Sequence, residues 1–418
     1  MKLQPPENAN YAATVVAISR INILENCDNV VGTPLLGFQA IVGNNTQVGD
    51  MGIVLPAECK VSEEYARFNN LHRHTELNND GTAKGYLEDS RRVKALKFRG
   101  HRSDCLFMPL SSLAFTGADV SQLQPGDTFD VLNNHKICEK YVVKRSALAH
   151  TRTHAVRDKV FRRVDEKLMP RHYETANFFR NRDVISGSRL VVVTQKLHGT
   201  SIRIGNTIVK RKLSLRERVA ARLGVKVQRT EFSNVYGSRT VIKDVNNPYQ
   251  EHYYNTDIWS EEGKKLDGLL PENYIVYGEL VGWTKNGEPI QKNFTYQIPE
   301  GTCELYVYRI SFINAQGRMT DLSWDQLKEF CCDLGLRYVP ELWRGPLDNL
   351  VVEDFLDRKF HEETNLGLPL AKGSPCDEGV CIRADGLTPY ILKAKSPAFL
   401  RHETKMFDQE VLDIEEEG

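Results

Sequence analysis

Short apolar, β-branched runs punctuated by turn residues fill the first third of the chain. They include Tyr11 to Ile18, Gly37 to Val42, Met51 to Leu55, Arg92 to Phe98, Asp104 to Met108 and Thr128 to Val131. This spacing predicts an all-β domain, a small barrel or sandwich. The polar insert from Ser62 to Ser90 is long for a connection inside a compact domain, which predicts a functional or mobile loop.

The pattern changes further on. Leu190 to Thr194 is a continuous apolar run that ends in Gln195-Lys196-Leu197-His198-Gly199, which predicts a buried strand presenting a lysine at its end. Leu215, Val219 and Leu223 fall four apart ahead of Gly224 and predict a short amphipathic helix. Strands are predicted over Tyr274 to Val281, Glu304 to Ile310, Glu378 to Arg383 and Pro389 to Lys395. Ser323 and Gln326 form a capping box for a helix that Gly335 stops. Helices interrupt the strands irregularly, so the fold class is α+β, with antiparallel or mixed sheets behind an all-β domain. The expected division is an OB-like domain over 1–138, a basic linker over 139–172 and a transferase domain over 173–418.

Composition adds bounds. The chain has 418 residues, of which 41% are hydrophobic and 26% charged, the balance of a globular protein. Lys+Arg and Asp+Glu both number 55, so net charge selects no partner and only its distribution is informative. Lys140 to His172 holds ten Lys/Arg against three acidic residues, which suits a solvated helical linker or a nucleic-acid contact. Nine cysteines without a C-x-x-C pair exclude a disulfide framework or zinc ribbon, and point to a reducing compartment. No apolar run is long enough to span a bilayer, so no membrane partner is expected and a cytoplasmic location is, with the nucleus left open.

Ionisable residues then stand out where half-buried strands favour apolar ones. Lys196 closes one strand and Glu279 sits within another. Glu378 opens a third, and Lys393 and Lys395 share a face of the last by period-two alternation. A single strand-end lysine is ordinarily a snorkelling residue. An ordered set of one lysine, two carboxylates and a K-x-K pair suits nucleotidyl transfer through a covalent lysine instead, with structural ion pairing as the alternative. A deprotonated amine attacks the α-phosphate, neighbouring cations favour that form and hold phosphate, and the carboxylates suit a divalent metal. The basic residues Arg92, Lys94, Lys97, Arg99 and Arg102 mark a strand and turn that would contact nucleic acid, or else a charged face guarding a sheet edge.

Lys196-Leu-His-Gly199, Val276-Tyr-Gly-Glu279, Glu378-Gly-Val and Lys393-Ala-Lys395 together resemble motifs I, III, IV and V of the covalent nucleotidyltransferases. The K-x-H-G form is similar to that of RNA ligases. A β-rich domain ahead of motif I, with only 23 residues after Lys395, resembles the group typified by the Naegleria gruberi and Deinococcus radiodurans enzymes. The resemblance implies an ATP-dependent RNA ligase with Lys196 as the AMP-carrying nucleophile. It implies Lys393 and Lys395 on phosphate, and Mg²⁺ or Mn²⁺ served by Glu279 and Glu378. ATP would be held by His198, Gly199, Glu279 and Glu378, by Tyr308 under the base with Phe294 as the competing ring, and by a motif Ia arginine. That arginine is Arg239 or Arg211, a choice left open by an insertion over Leu213 to Arg229. The implied partner is a nicked duplex with RNA on at least the 3′-OH side, bound by a monomer. A GTP-dependent guanylyltransferase and a non-catalytic nucleic-acid-binding protein remain the alternatives.

Overall fold

The computed structural model describes residues 3–143, 163–243, 254 and 256–409. Most of the linker and the acidic tail from Asp413 to Glu417 therefore lie outside the described residues. The chain divides into two compact units. One comprises Met1–Lys144, Ala176–Val184 and Lys393–Leu412, and the other Arg145–Thr175, Ile185–Leu392 and Asp413–Gly418.

The first unit is built on an antiparallel sheet of β1 (Ala13–Ala17), β2 (Met51–Pro56), β3 (Cys105–Pro109) and β4 (Thr128–Phe129), in the order β4-β1-β2-β3. Val15, Ile53, Leu55 and Phe129 are buried together in its core. The insert from Ser62 to Ser90, expected to be a functional or mobile loop, contributes to that core. The helix Glu63–Phe68 buries Tyr65 and Ala66, while Leu71 and Leu87 pack into the same cluster. Its many polar residues hid these few apolar anchors.

Arg92 to Phe98 is likewise not one exposed strand. Only Leu96–Phe98 is a strand, paired with His101–Ser103. Arg92 is 3% exposed and its guanidinium pairs with Glu58 at 3.1 Å and with Asp408. Lys94 pairs with Glu88 at 2.6 Å and with Asp408 at 2.8 Å. Glu88 is six residues from Lys94, but Glu58 and Asp408 lie 34 and 316 residues from Arg92, which the local pattern does not disclose. The helix Pro397–Asp408 carries Asp408 and Thr404 into this network, and Ser396 caps its first turn.

The second unit holds two sheets. In one, β5 (Leu190–Lys196) runs antiparallel between β10 (Glu341–Pro346) and β11 (Gly379–Ala384). In the other, β6 (Thr200–Lys210) lies between β7 (Thr230–Ser238) and β8 (Tyr274–Gly282), and β9 (Cys303–Ile313) follows β8. These pairs are antiparallel, while β9 also pairs in parallel with Arg337–Tyr338, so the fold is mixed α+β as expected. Residues 197–199 join the two sheets, because β5 leads into β6 through them. The capping box at Ser323 and Gln326 forms, and Trp324–Asp333 is the helix it starts. Among the described residues, no helix is long and apolar enough to cross a membrane.

Candidate active site

β5 is buried from Val191 to Gln195, and its register with β11 pairs Lys196 with Gly379. The residue before Gly379 is Glu378, and this register brings its carboxylate to the lysine. Lys196 Nζ lies 2.7 Å from both carboxylate oxygens of Glu378, whose side chain is almost fully buried. His198 Nδ1 stands 3.6 Å from the same carboxylate.

A second carboxylate holds the turn after the lysine. Glu279 lies opposite Ser201 in the β6–β8 ladder. Its oxygens accept the Gly199 N–H at 3.1 Å and the Ser201 hydroxyl at 3.2 Å. A side chain at Gly199 would put its Cβ 2.1 Å from the Leu280 carbonyl oxygen, so this close approach of two strands requires glycine. The structure thus gathers Lys196, His198, Gly199, Glu279 and Glu378 around one turn.

The remaining predicted ligands are carried by several elements of the scaffold. Arg239 follows β7 at the end where Ser238 pairs with Ile202, and its guanidinium is 3.8 Å from Glu174. Arg211 lies at the opposite end of β6, beyond Lys210, and is tied to Glu217 and the Gln228 carbonyl. Tyr308 is the extra residue at a bulge in β9, where Tyr277 pairs with Arg309 and Gly278 with Val307. Its hydroxyl is 2.7 Å from His172 Nδ1. Phe294 is fully buried and meets the His198 ring edge-on at 4.9 Å. Lys393 and Lys395 belong to the first unit, where Lys395 Nζ donates to Glu403 at 2.7 Å.

Four residues not singled out from the sequence hold the lysine turn. Gln291 donates to the Gly199 carbonyl at 3.0 Å, and the Tyr296 hydroxyl accepts the His198 N–H at 2.6 Å. Gln195, buried next to Lys196, joins β5 to the Leu368 backbone and to Asp377. Burial pushes the Asp377 carboxyl up to about 6. Tyr296 is 1% exposed and has φ of 52°, in the left-handed region that a non-glycine residue enters at a cost. Burial also pushes its phenol well above the ordinary range, so it stays neutral. A polar group on an otherwise apolar-looking position was the one signal available in Gln195, and Gln291 and Tyr296 gave none.

This geometry yields a prediction for Tyr296→Phe. The change keeps the ring packing and leaves the His198 N–H without its acceptor, a loss of roughly 1–3 kcal/mol. If the turn matters chiefly when Lys196 reacts, single-turnover loading of the lysine should slow about tenfold or more while nucleotide affinity changes little. A matching loss in affinity with an unchanged rate would contradict that role.

Comparison with known proteins agrees with this architecture. Residues 189–395 match the RNA ligase family model. That stretch is an RNA ligase domain, and the chain is an RNA ligase enzyme. No curated protein sequence matches it. Among solved structures it is similar to the Naegleria gruberi RNA ligase with PPi, at 16% identity and a TM-score of 0.60, covering 94% of this chain and 99% of that one. A mutant of that ligase with ATP and Mn matches at 15% identity and a TM-score of 0.57, covering 95% and 99%. Another with AMP and Mn gives 15% and 0.58, covering 93% and 98%. At these identities the likeness establishes the fold.

Proposed function

We propose that the protein is an ATP-dependent ligase that seals 3′-OH/5′-phosphate breaks in RNA-containing duplexes, in RNA repair, through AMP carried on Lys196. The observation that carries this is the strand-end lysine held against buried Glu378 beside a turn fixed by Glu279. In the first step the Lys196 amine attacks the α-phosphate of ATP, an N–P bond forms and pyrophosphate leaves. The AMP then passes to a 5′-phosphate oxygen, freeing the lysine. Attack by the 3′-hydroxyl on that phosphate forms the phosphodiester and releases AMP.

An amine against a carboxylate keeps its proton, so the Lys196–Glu378 pair must loosen before attack. Similar ligases have been solved with ATP and Mn, and a divalent ion is the natural rival for this carboxylate. Among the described residues no group of three His, Cys, Asp or Glu side chains surrounds such an ion. Glu279 and Glu378 offer carboxylate oxygens that would hold such an ion, which would offset charge on the nucleotide phosphates. Arg239, which shares its sheet end with the lysine turn, is the better motif Ia arginine than Arg211. Tyr308 is taken as the base-stacking ring, and Lys393 with Lys395 as phosphate contacts on their K-x-K pattern. The first unit is taken as the OB-like nucleic-acid-binding domain. Within it exposed Lys97 and Arg99 are available for phosphate, whereas Arg92, Lys94 and Arg102 are held in ion pairs.

Nicked duplexes carrying RNA or DNA separately on each side of the break test the reading. Joining that needs ATP and RNA on the 3′-OH side is expected. Transfer of label from GTP and not ATP would establish the guanylyltransferase alternative, and nucleic-acid binding without any adduct the non-catalytic one.

A further inference from the structure

Between β6 and β7 the chain leaves the sheet to form the helix Leu215–Arg222. Its apolar residues do not turn inward. Leu215, Val219 and Leu223 are 76%, 51% and 77% exposed, and Val225 after them is 57% exposed. The sequence pattern predicts a short amphipathic helix, and its apolar stripe faces out. From Lys210 to Arg229 there are eight Lys/Arg and one acidic residue, Glu217. Glu217 is already committed to the Ser214 cap and to Arg211. Arg216, Arg218 and Arg222 are exposed and make no ion pair among the described residues.

Helical periodicity arranges these residues in order. Leu215, Val219 and Leu223 form one narrow stripe, with Arg216 along one side and Arg218 and Arg222 along the other. Duplex RNA offers the complementary surface: a wide, shallow minor groove lined by sugar edges, with a row of phosphates on each side. An anionic bilayer is a poorer match, because surface helices carry a broad apolar face strongly segregated from the charges. This stripe is one side chain wide and three long, over about two turns.

We infer that the hairpin between β6 and β7 is a duplex-RNA clamp, its stripe against the minor groove and its arginines on the flanking phosphates. The inference rests on the ligase reading and adds to it where the duplex arm is held. β6 runs 11 residues from the lysine turn to the hairpin, about 35 Å at ~3.3 Å per residue. The clamp therefore meets an arm on the order of ten base pairs from the break.

The test compares the wild-type full chain with Arg216→Glu/Arg218→Glu/Arg222→Glu and with Leu215→Ser/Leu223→Ser, folding being checked by circular dichroism. Adenylate loading with labelled ATP should be equal in all three. The arginine variant should bind a 20-base-pair RNA duplex at least tenfold more weakly in about 0.1 M salt, with a log–log salt slope shallower by about 2–3. The leucine variant should lose affinity for duplex and not for single strands. Unchanged duplex affinity in both variants overturns the clamp, as does unchanged duplex affinity with lost binding to phosphatidylserine vesicles. Failure of the wild type to form an adduct would instead overturn the ligase reading, because the duplex measurement stands apart from it.

Discussion

Replacing Lys196 by alanine should abolish formation of the nucleotide adduct. With radiolabelled ATP and Mn²⁺ or Mg²⁺, the wild-type chain is expected to retain label through denaturing electrophoresis and the variant to retain none. Arginine at this position is the sharper control. It preserves the positive charge facing Glu378, and hence the folded pair, but guanidinium does not deprotonate in a protein and is no nucleophile. Lys196→Arg should therefore melt near the wild type and still load no AMP, a loss of at least ~10⁴-fold in the first step, or ~5 kcal/mol of barrier. The later steps separate cleanly from this one. A substrate supplied with its 5′-phosphate already joined to AMP needs no lysine nucleophile, so both variants should keep some sealing of it. Label retained on Lys196→Ala would place the adduct elsewhere and remove the basis of the mechanism.

How far the sequence discloses such a site depends on what holds each residue. Lys196, Glu279 and Glu378 were visible because a charge inside an apolar strand is costly without a purpose, and strand ends are where the period-two pattern is clearest. The pairing of Lys196 with Glu378 follows from β-register, which sets Gly379 opposite the lysine. Gln291 and Tyr296 were hidden for the opposite reason. They lie in an irregular loop whose left-handed residues Asn293, Tyr296 and Gln297 follow no periodicity, and their hydrogen bonds reach back about 92–98 residues. The basic strand from Arg92 misled because charge alone does not distinguish a solvated face from a cation with distant carboxylate partners. The stripe of Leu215, Val219 and Leu223 shows the converse: helical spacing identified the helix, and only the fold shows that its apolar side is exposed.

Arg92 carries the second large prediction. Its guanidinium bonds Glu58, Asp408 and the Thr404 carbonyl, and lies 4.9 Å over the Tyr141 ring. Burial pushes the Glu58 carboxyl up to about 7, with Glu403 adding to the rise and Arg92 and the Thr404 hydroxyl offsetting only part of it. A carboxyl raised in the fold binds its proton more tightly there than in the unfolded chain. Its contribution to stability is then full below about 4.5 and is lost as the pH climbs through about 7. Arg92→Ala removes the cation that makes ionised Glu58 tolerable, so the penalty depends on whether Glu58 is charged. At pH 8 the variant should lose roughly 3–5 kcal/mol, which at about 2–4 °C per kcal/mol is a fall of ten degrees or so in melting temperature. At pH 5, with Glu58 protonated, the gap should shrink by about half. Glu58→Gln combined with Arg92→Met should recover much of the loss at pH 8, since a neutral pair leaves no uncompensated charge. A penalty for Arg92→Ala equal at both pH values would show that lost ring packing and the Asp408 contact, rather than Glu58, set the stability of this cluster.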